Sequence, residues 1–193
     1  MDLTQGTREE KTGRAKKMML WFGIISLIMS FMGWTSAFIV SSSRPDWLSD
    51  FRLPNAFIIS TVVIVVSSIT FLLAKKSLKN GQHKATSLWL LVTLVLGVVF
   101  IYNQFAGFRQ IIDLGYNFTG PTSNVTMSYI YLIALVHILH VVAGLICLLV
   151  VIYNHFKQKY SATNMLGFEL AATFWHFIDI LWVYLFLFLY FVR

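Results

Sequence analysis

Five ionisable residues lie inside the hydrophobic stretches of this 193-residue chain, and they are grouped: His137 and His140 in one stretch, Glu169, His176 and Asp179 in the last. Such a group at the centre of a bilayer costs about 2.5 to 3.5 kcal/mol even on mild insertion scales, so each one needs a partner. Histidines near carboxylates admit three chemistries: hydrogen bonds that hold helices together, a path for a proton or ion, and ligation of metal or haem by His137, His140 and His176. Spacing alone does not separate the three.

On a helix, His137 and His140 share a face with Gly144 one turn beyond, where a partner backbone can approach closely. Glu169, Thr173, His176 and Asp179 form a second stripe by the same spacing. The two stripes are expected to face each other. His140 stands 13 residues before Tyr153 and Asp179 13 residues after Leu166, so in antiparallel helices the two lie at similar height. A hydrogen bond between them across the helix pair would remove most of the cost of burying either. Glu169 falls near the end of its stretch, where water or a loop lysine can reach it.

The elements that must position these residues are five apolar stretches, at about residues 18–40, 56–74, 88–105, 127–153 and 166–192, none of which contains Lys or Arg. Hydrophobic residues make up 58% of the chain and charged residues 12%, a balance unlike that of soluble domains. At 1.5 Å per residue even the shortest stretch rises roughly 27 Å, near the ~30 Å hydrocarbon core. Only helix satisfies every backbone group there. The expected fold is therefore all-α: an integral membrane bundle of five transmembrane helices forming a single domain over residues 18–193, after a basic cytoplasmic tail over 1–17. Pro45, Pro54 and Pro121 all fall between the stretches, where they break nothing.

Eleven of the fifteen Lys and Arg residues lie on the side of the N-terminal tail and the second and fourth connections; Arg44, Arg52, Arg109 and Arg193 lie on the other. This bias places the N-terminus inside and the C-terminus outside. It also explains the net charge of +7 better than nucleic-acid binding, since no basic face carries aromatics. The first stretch is too long for a signal-peptide core and reads as a span, and the lack of an obvious presequence points to a bacterial inner membrane. The single cysteine, Cys147, supports neither a disulfide framework nor a thiolate metal site. Trp175 and Trp182 share a stripe, while Trp21, Trp47 and Trp89 fall near expected interfaces; all five are expected to act as anchors. The Phe-rich end from Tyr184 to Phe191 is expected to be lipid-facing or helix-packing bulk.

Gly167-Phe168-Glu169 followed by Trp175-His176-Phe177-Ile178-Asp179 and Trp182 closely resembles the G-F-E and W-H-F-x-D-x-x-W signature of subunit III of haem-copper terminal oxidases. His137-x-x-His140-x-x-x-Gly144 and Leu96-Gly97-x-x-Phe100-x-x-x-Gln104 are similar to two further motifs of that family, in the same order. The resemblance runs from about Met18 to the end and fits the shorter, five-helix form. Two departures stand out: the first span lacks the membrane carboxylate of many members, and Gly107 replaces an acid that usually follows the family glutamine.

The resemblance implies a non-catalytic subunit of a proton-pumping cytochrome c or quinol oxidase, with haem and copper held by partner subunits and none in this chain. Its partners would be oxidase subunits I and II, membrane phospholipid and a respiratory supercomplex. His137, His140, Glu169, His176 and Asp179 would tie helices together, and Trp175, Trp182, Gly144 and Gln104 would face lipid or a neighbouring subunit. The rival readings are a small proton-coupled or metal transporter, against which the absence of intramembrane proline argues, and a bis-His membrane cytochrome.

Overall fold

The computed structural model describes residues 7–48, 51, 53–120, 123–161 and 164–192; Arg52, Pro121 and Arg193 lie outside these. Five helices fill the chain: α1 (Arg8–Ser41), α2 (Asn55–Lys79), α3 (His83–Asp113), α4 (Val125–Phe156) and α5 (Leu166–Phe191). Each is long and apolar enough to cross a membrane. Among the described residues there is no strand, only an isolated bridge between Asn117 and Ser123.

The helices outrun the apolar stretches. α1 begins ten residues before Met18 because Thr7 caps it: the Thr7 hydroxyl accepts from the Glu10 amide and the Glu10 carboxylate accepts from the Thr7 amide. The segment expected as a tail is thus helical from Arg8. α3 has 31 residues, a rise of about 46 Å, so it tilts or carries its ends into the headgroup region.

Helices α2 and α3 form a tight hairpin, turned by Gly81 at φ +71° and by the Gln82 amide donating to the Ser77 carbonyl. Small and hydroxylated residues let the two backbones close. Ser60, Ser67 and Ala74 recur every seven residues along the buried side of α2. Thr70 meets Thr93 at 2.8 Å, and Gln104 donates to the Ser60 hydroxyl at 2.8 Å. A Cβ on Gly107 would lie 2.7 Å from the Phe57 ring, so the acid seen there in the resembling family has no room unless Phe57 moves.

α4 covers α3, and α5 lies against both α2 and α4. Among the described residues α1 packs on α4 and α5, and its backbone does not approach that of α2. Consequently α1 presents much of its apolar surface outward, Met29 and Trp21 included. At one end of the bundle the start of α3 meets the end of α4, where His155 Nε2 lies 3.0 Å from the Ser87 hydroxyl. At the other, Asn124 donates to the Asp46 carbonyl and the Leu48 amide donates to Thr126. The exposed pair Arg44 and Asp46 also lies there, and its hydrogen bond holds the Asp46 carboxyl below the usual carboxylate range.

Candidate functional site

His176 and Asp179 of α5 point toward α2, not toward α4. His176 Nδ1 lies 2.6 Å from the Ser68 hydroxyl. One turn on, Asp179 is 3% exposed and neither carboxylate oxygen has a hydrogen-bond partner. It lines a pocket of about 200 Å³ together with Val65, Ser68, Ile180 and Val183, on the seam between α2 and α5.

The α4 histidines go elsewhere. His137 is fully buried among Phe31, Phe100 and Trp182, with ring centroids 6.3, 5.9 and 5.0 Å away, and neither nitrogen is bonded. His140 is half-buried, donates Nδ1–H to the Val136 carbonyl at 2.7 Å within its own helix, and meets the edge of Phe31. The expected hydrogen bond between His140 and Asp179 is therefore not made. Height alone does not make a pair: His140 turns toward α1 and Asp179 toward α2. The α4–α5 contact is filled by Gly144, where an added Cβ would lie 3.1 Å from both Trp175 and Ile178.

Four residues expected at a lipid or subunit interface, Trp175, Trp182, Gly144 and Gln104, are instead buried inside the bundle. Trp175 donates its indole N–H to the Ser67 hydroxyl at 3.2 Å, and Trp182 donates to Thr61 at 3.0 Å. A buried indole needs an acceptor, and the hydroxyls of α2 supply it. These two bonds join α5 to α2.

Glu169 sits at the end of the bundle between Lys17 of α1 and Lys75 of α2, each 3.7 Å away. Three helices converge on one carboxylate. Its side chain is 36% exposed, so water weakens both pairs.

His155 was missed as a buried polar residue because it lies just beyond the apolar stretch that ends at Tyr153. The acceptor hydroxyls Ser60, Thr61, Ser67 and Ser68 were missed as well. Their seven-residue recurrence, shared with Ala74, is a signal for close helix packing in lipid that could have found them. As for ligand chemistry, His137, His140 and His176 do not converge, and among the described residues no group of three or more His, Cys, Asp or Glu could hold a metal ion.

Residues 4–193 match the family model for cytochrome c oxidase subunit III. The chain is 33% identical over 138 residues to the cytochrome bo(3) ubiquinol oxidase subunit 3 of Buchnera aphidicola, covering 70% of this chain and 69% of the relative. It is 29% identical over 177 residues to the cytochrome c oxidase subunit 3 of Alkalihalophilus pseudofirmus, covering 90% and 85%. The corresponding ubiquinol oxidase subunit of Pseudomonas aeruginosa is 32% identical over 146 residues, covering 76% and 68%. With the family model spanning nearly the whole chain and five membrane-length helices beneath it, this chain belongs to the cytochrome c oxidase subunit III family.

Proposed function

We propose that this chain is the non-catalytic subunit III of a proton-pumping haem-copper terminal oxidase, and that it serves the complex that reduces O₂ to water by stabilising the catalytic subunit and holding phospholipid. The observation that carries this is the family match across residues 4–193. The family-type motif residues Gly97, Phe100, Gln104, Gly144, Trp175 and Trp182 are all buried at helix contacts, which suits a structural role. The reading holds whether the electron donor is cytochrome c or a quinol, since relatives of both kinds are similar to this chain.

In this account the haem and copper belong to partner subunits and supply the redox chemistry. Of this chain's intramembrane polar residues, His176 ties α5 to α2 and Glu169 ties it to α1 and α2, while His137 and His140 serve packing against aromatic rings. The end carrying Lys17, Lys75 and Glu169 faces the cytoplasm of a bacterial cell, following the surplus of Lys and Arg on that side. Oxidase subunits I and II are the partners, and a respiratory supercomplex is the wider setting. Co-purification of haem and copper with this chain from native membranes tests the proposal.

A further inference from the structure

Helix α5 is backed by α4 and flanked by α1 and α2, whose backbones stay apart among the described residues and which are bridged at one end through Glu169. Between those flanks a ridge of α5 lies open. It runs through the half-buried Thr173 and Phe177 and the exposed Ile180, Tyr184, Leu187 and Phe191, alternately four and three residues apart, the spacing of a seam that receives a second helix, with Tyr184 also reaching Thr35 of α1. Ile180 and Phe191 are 68% and 74% exposed.

Lipid chains could cover such a ridge, but they cannot satisfy what lies beneath it. Both oxygens of Asp179 and the Nε2 atom of His176 are buried without a hydrogen bond of good geometry; the nearby Ser68 hydroxyl is already engaged with His176, and hydrocarbon offers neither donor nor acceptor. The pocket beside Asp179, about 200 Å³, has room for the polar end of one side chain.

We propose that the groove along α5, between α1 and α2, seats a transmembrane helix from another chain of the oxidase complex, and that this helix brings a side-chain hydrogen-bond donor to Asp179. The proposal rests on the subunit III reading and adds to it the docking face and the chemistry of the contact. Asp179 accepts a hydroxyl, amide, indole or cationic N–H, and the apolar ridge sets the register of the visiting helix. The Glu169 cluster with Lys17 and Lys75 marks the headgroup end of the groove.

The test uses the assembled oxidase with a photoreactive amino acid at position 180, and with the same group at position 29 on the outward side of α1. Expected at 180 is a cross-link to a transmembrane peptide of another oxidase chain, identified by mass spectrometry, that carries a donor side chain near the attachment point. Expected at 29 is lipid adduct. Lipid adduct alone at 180, a link to a second copy of this chain, or a peptide without a donor overturns the proposal.

Two variants add a second readout. Asp179→Asn still accepts a hydrogen bond and is expected to stay in the complex. Asp179→Leu lowers the retained fraction about threefold to twentyfold, the range one intramembrane hydrogen bond spans. Equal retention of the two, at equal helical content, also overturns it. Should Asp179→Leu lose helical content, the cross-link at 180 decides. A chain that purifies apart from haem removes the subunit III reading itself, whereas one that carries haem but meets only lipid at 180 removes this inference alone.

Discussion

Trp175 closes over Gly97: a Cβ on that glycine would stand 2.9 Å from Trp175 Cη2 and 2.8 Å from Leu145 Cδ2. The same indole donates to Ser67, so one side chain of α5 fixes the spacing of α3 and holds α2. In lipid, where burying apolar area does not drive helices together, such close approach and such bonds carry the association.

Gly97→Ala is therefore expected to destabilise the bundle by about 1 to 3 kcal/mol, since the Trp175 ring that the new methyl meets is itself fully enclosed, even where the end of the half-buried Leu145 side chain gives way. Gly33→Ala, where nothing lies within 4 Å, is expected to stay within about 0.5 kcal/mol of the parent or slightly above it. Equilibrium unfolding in mixed micelles measures both, and equal losses would contradict the contact.

The indole bond of Trp182 to Thr61 is separable from its ring packing. Trp182→Phe keeps a ring near Phe57 and Phe100 but removes the N–H. A double-mutant cycle with Thr61→Val is expected to give a coupling of about 0.6 kcal/mol, with ~1.7 kcal/mol as an upper bound. Zero coupling would mean the bond is not made.

His137 is a buried imidazole with no hydrogen bond among three aromatic rings. Replacing it by an apolar residue of similar size removes an unsatisfied polar group, so His137→Leu is expected to cost less than about 1 kcal/mol or to stabilise. The purified complex carrying this variant is expected to keep its haem and copper content. Loss of haem in this variant, with the chain still folded, would revive the bis-His cytochrome reading.

Glu169→Gln removes two ion pairs at 3.7 Å that water already weakens. The expected loss is below about 1 kcal/mol at low salt and shrinks toward zero as salt screens the pairs. Melting curves of the two proteins at low and high ionic strength read this directly. A gap that persists unchanged at high salt would place Glu169 in a less hydrated site than the structure gives it.

The five helices and the identity of the polar residues were legible in the sequence, because a charge-free run of membrane length admits little else. The start of α1 was not read, although Thr7 and Glu10 stand at the capping-box spacing, because the surrounding Lys and Arg suggested a solvated tail. The facing of α5 was harder to see. Beyond its one polar stripe α5 is apolar all round, so hydropathy does not say which neighbour the stripe meets, and similar height suggests a contact between His140 and Asp179 that the fold does not make. The small residues Ser60, Ser67 and Ala74 of α2 were the better guide, since close approach in lipid follows them. Residue type alone makes Trp175 and Trp182 look like interface anchors, whereas their N–H groups pair with hydroxyls whose positions only the fold reveals.

The most direct measurement is the metal and haem content that accompanies this chain. A tag on it, with native membranes solubilised in mild detergent, is expected to bring down haem and copper in constant ratio to the tagged chain, with oxygen-consuming activity in the same fraction. A tagged chain that elutes alone, colourless and without oxidase activity under conditions that leave the oxidase intact in other fractions, would contradict the assignment to its third subunit.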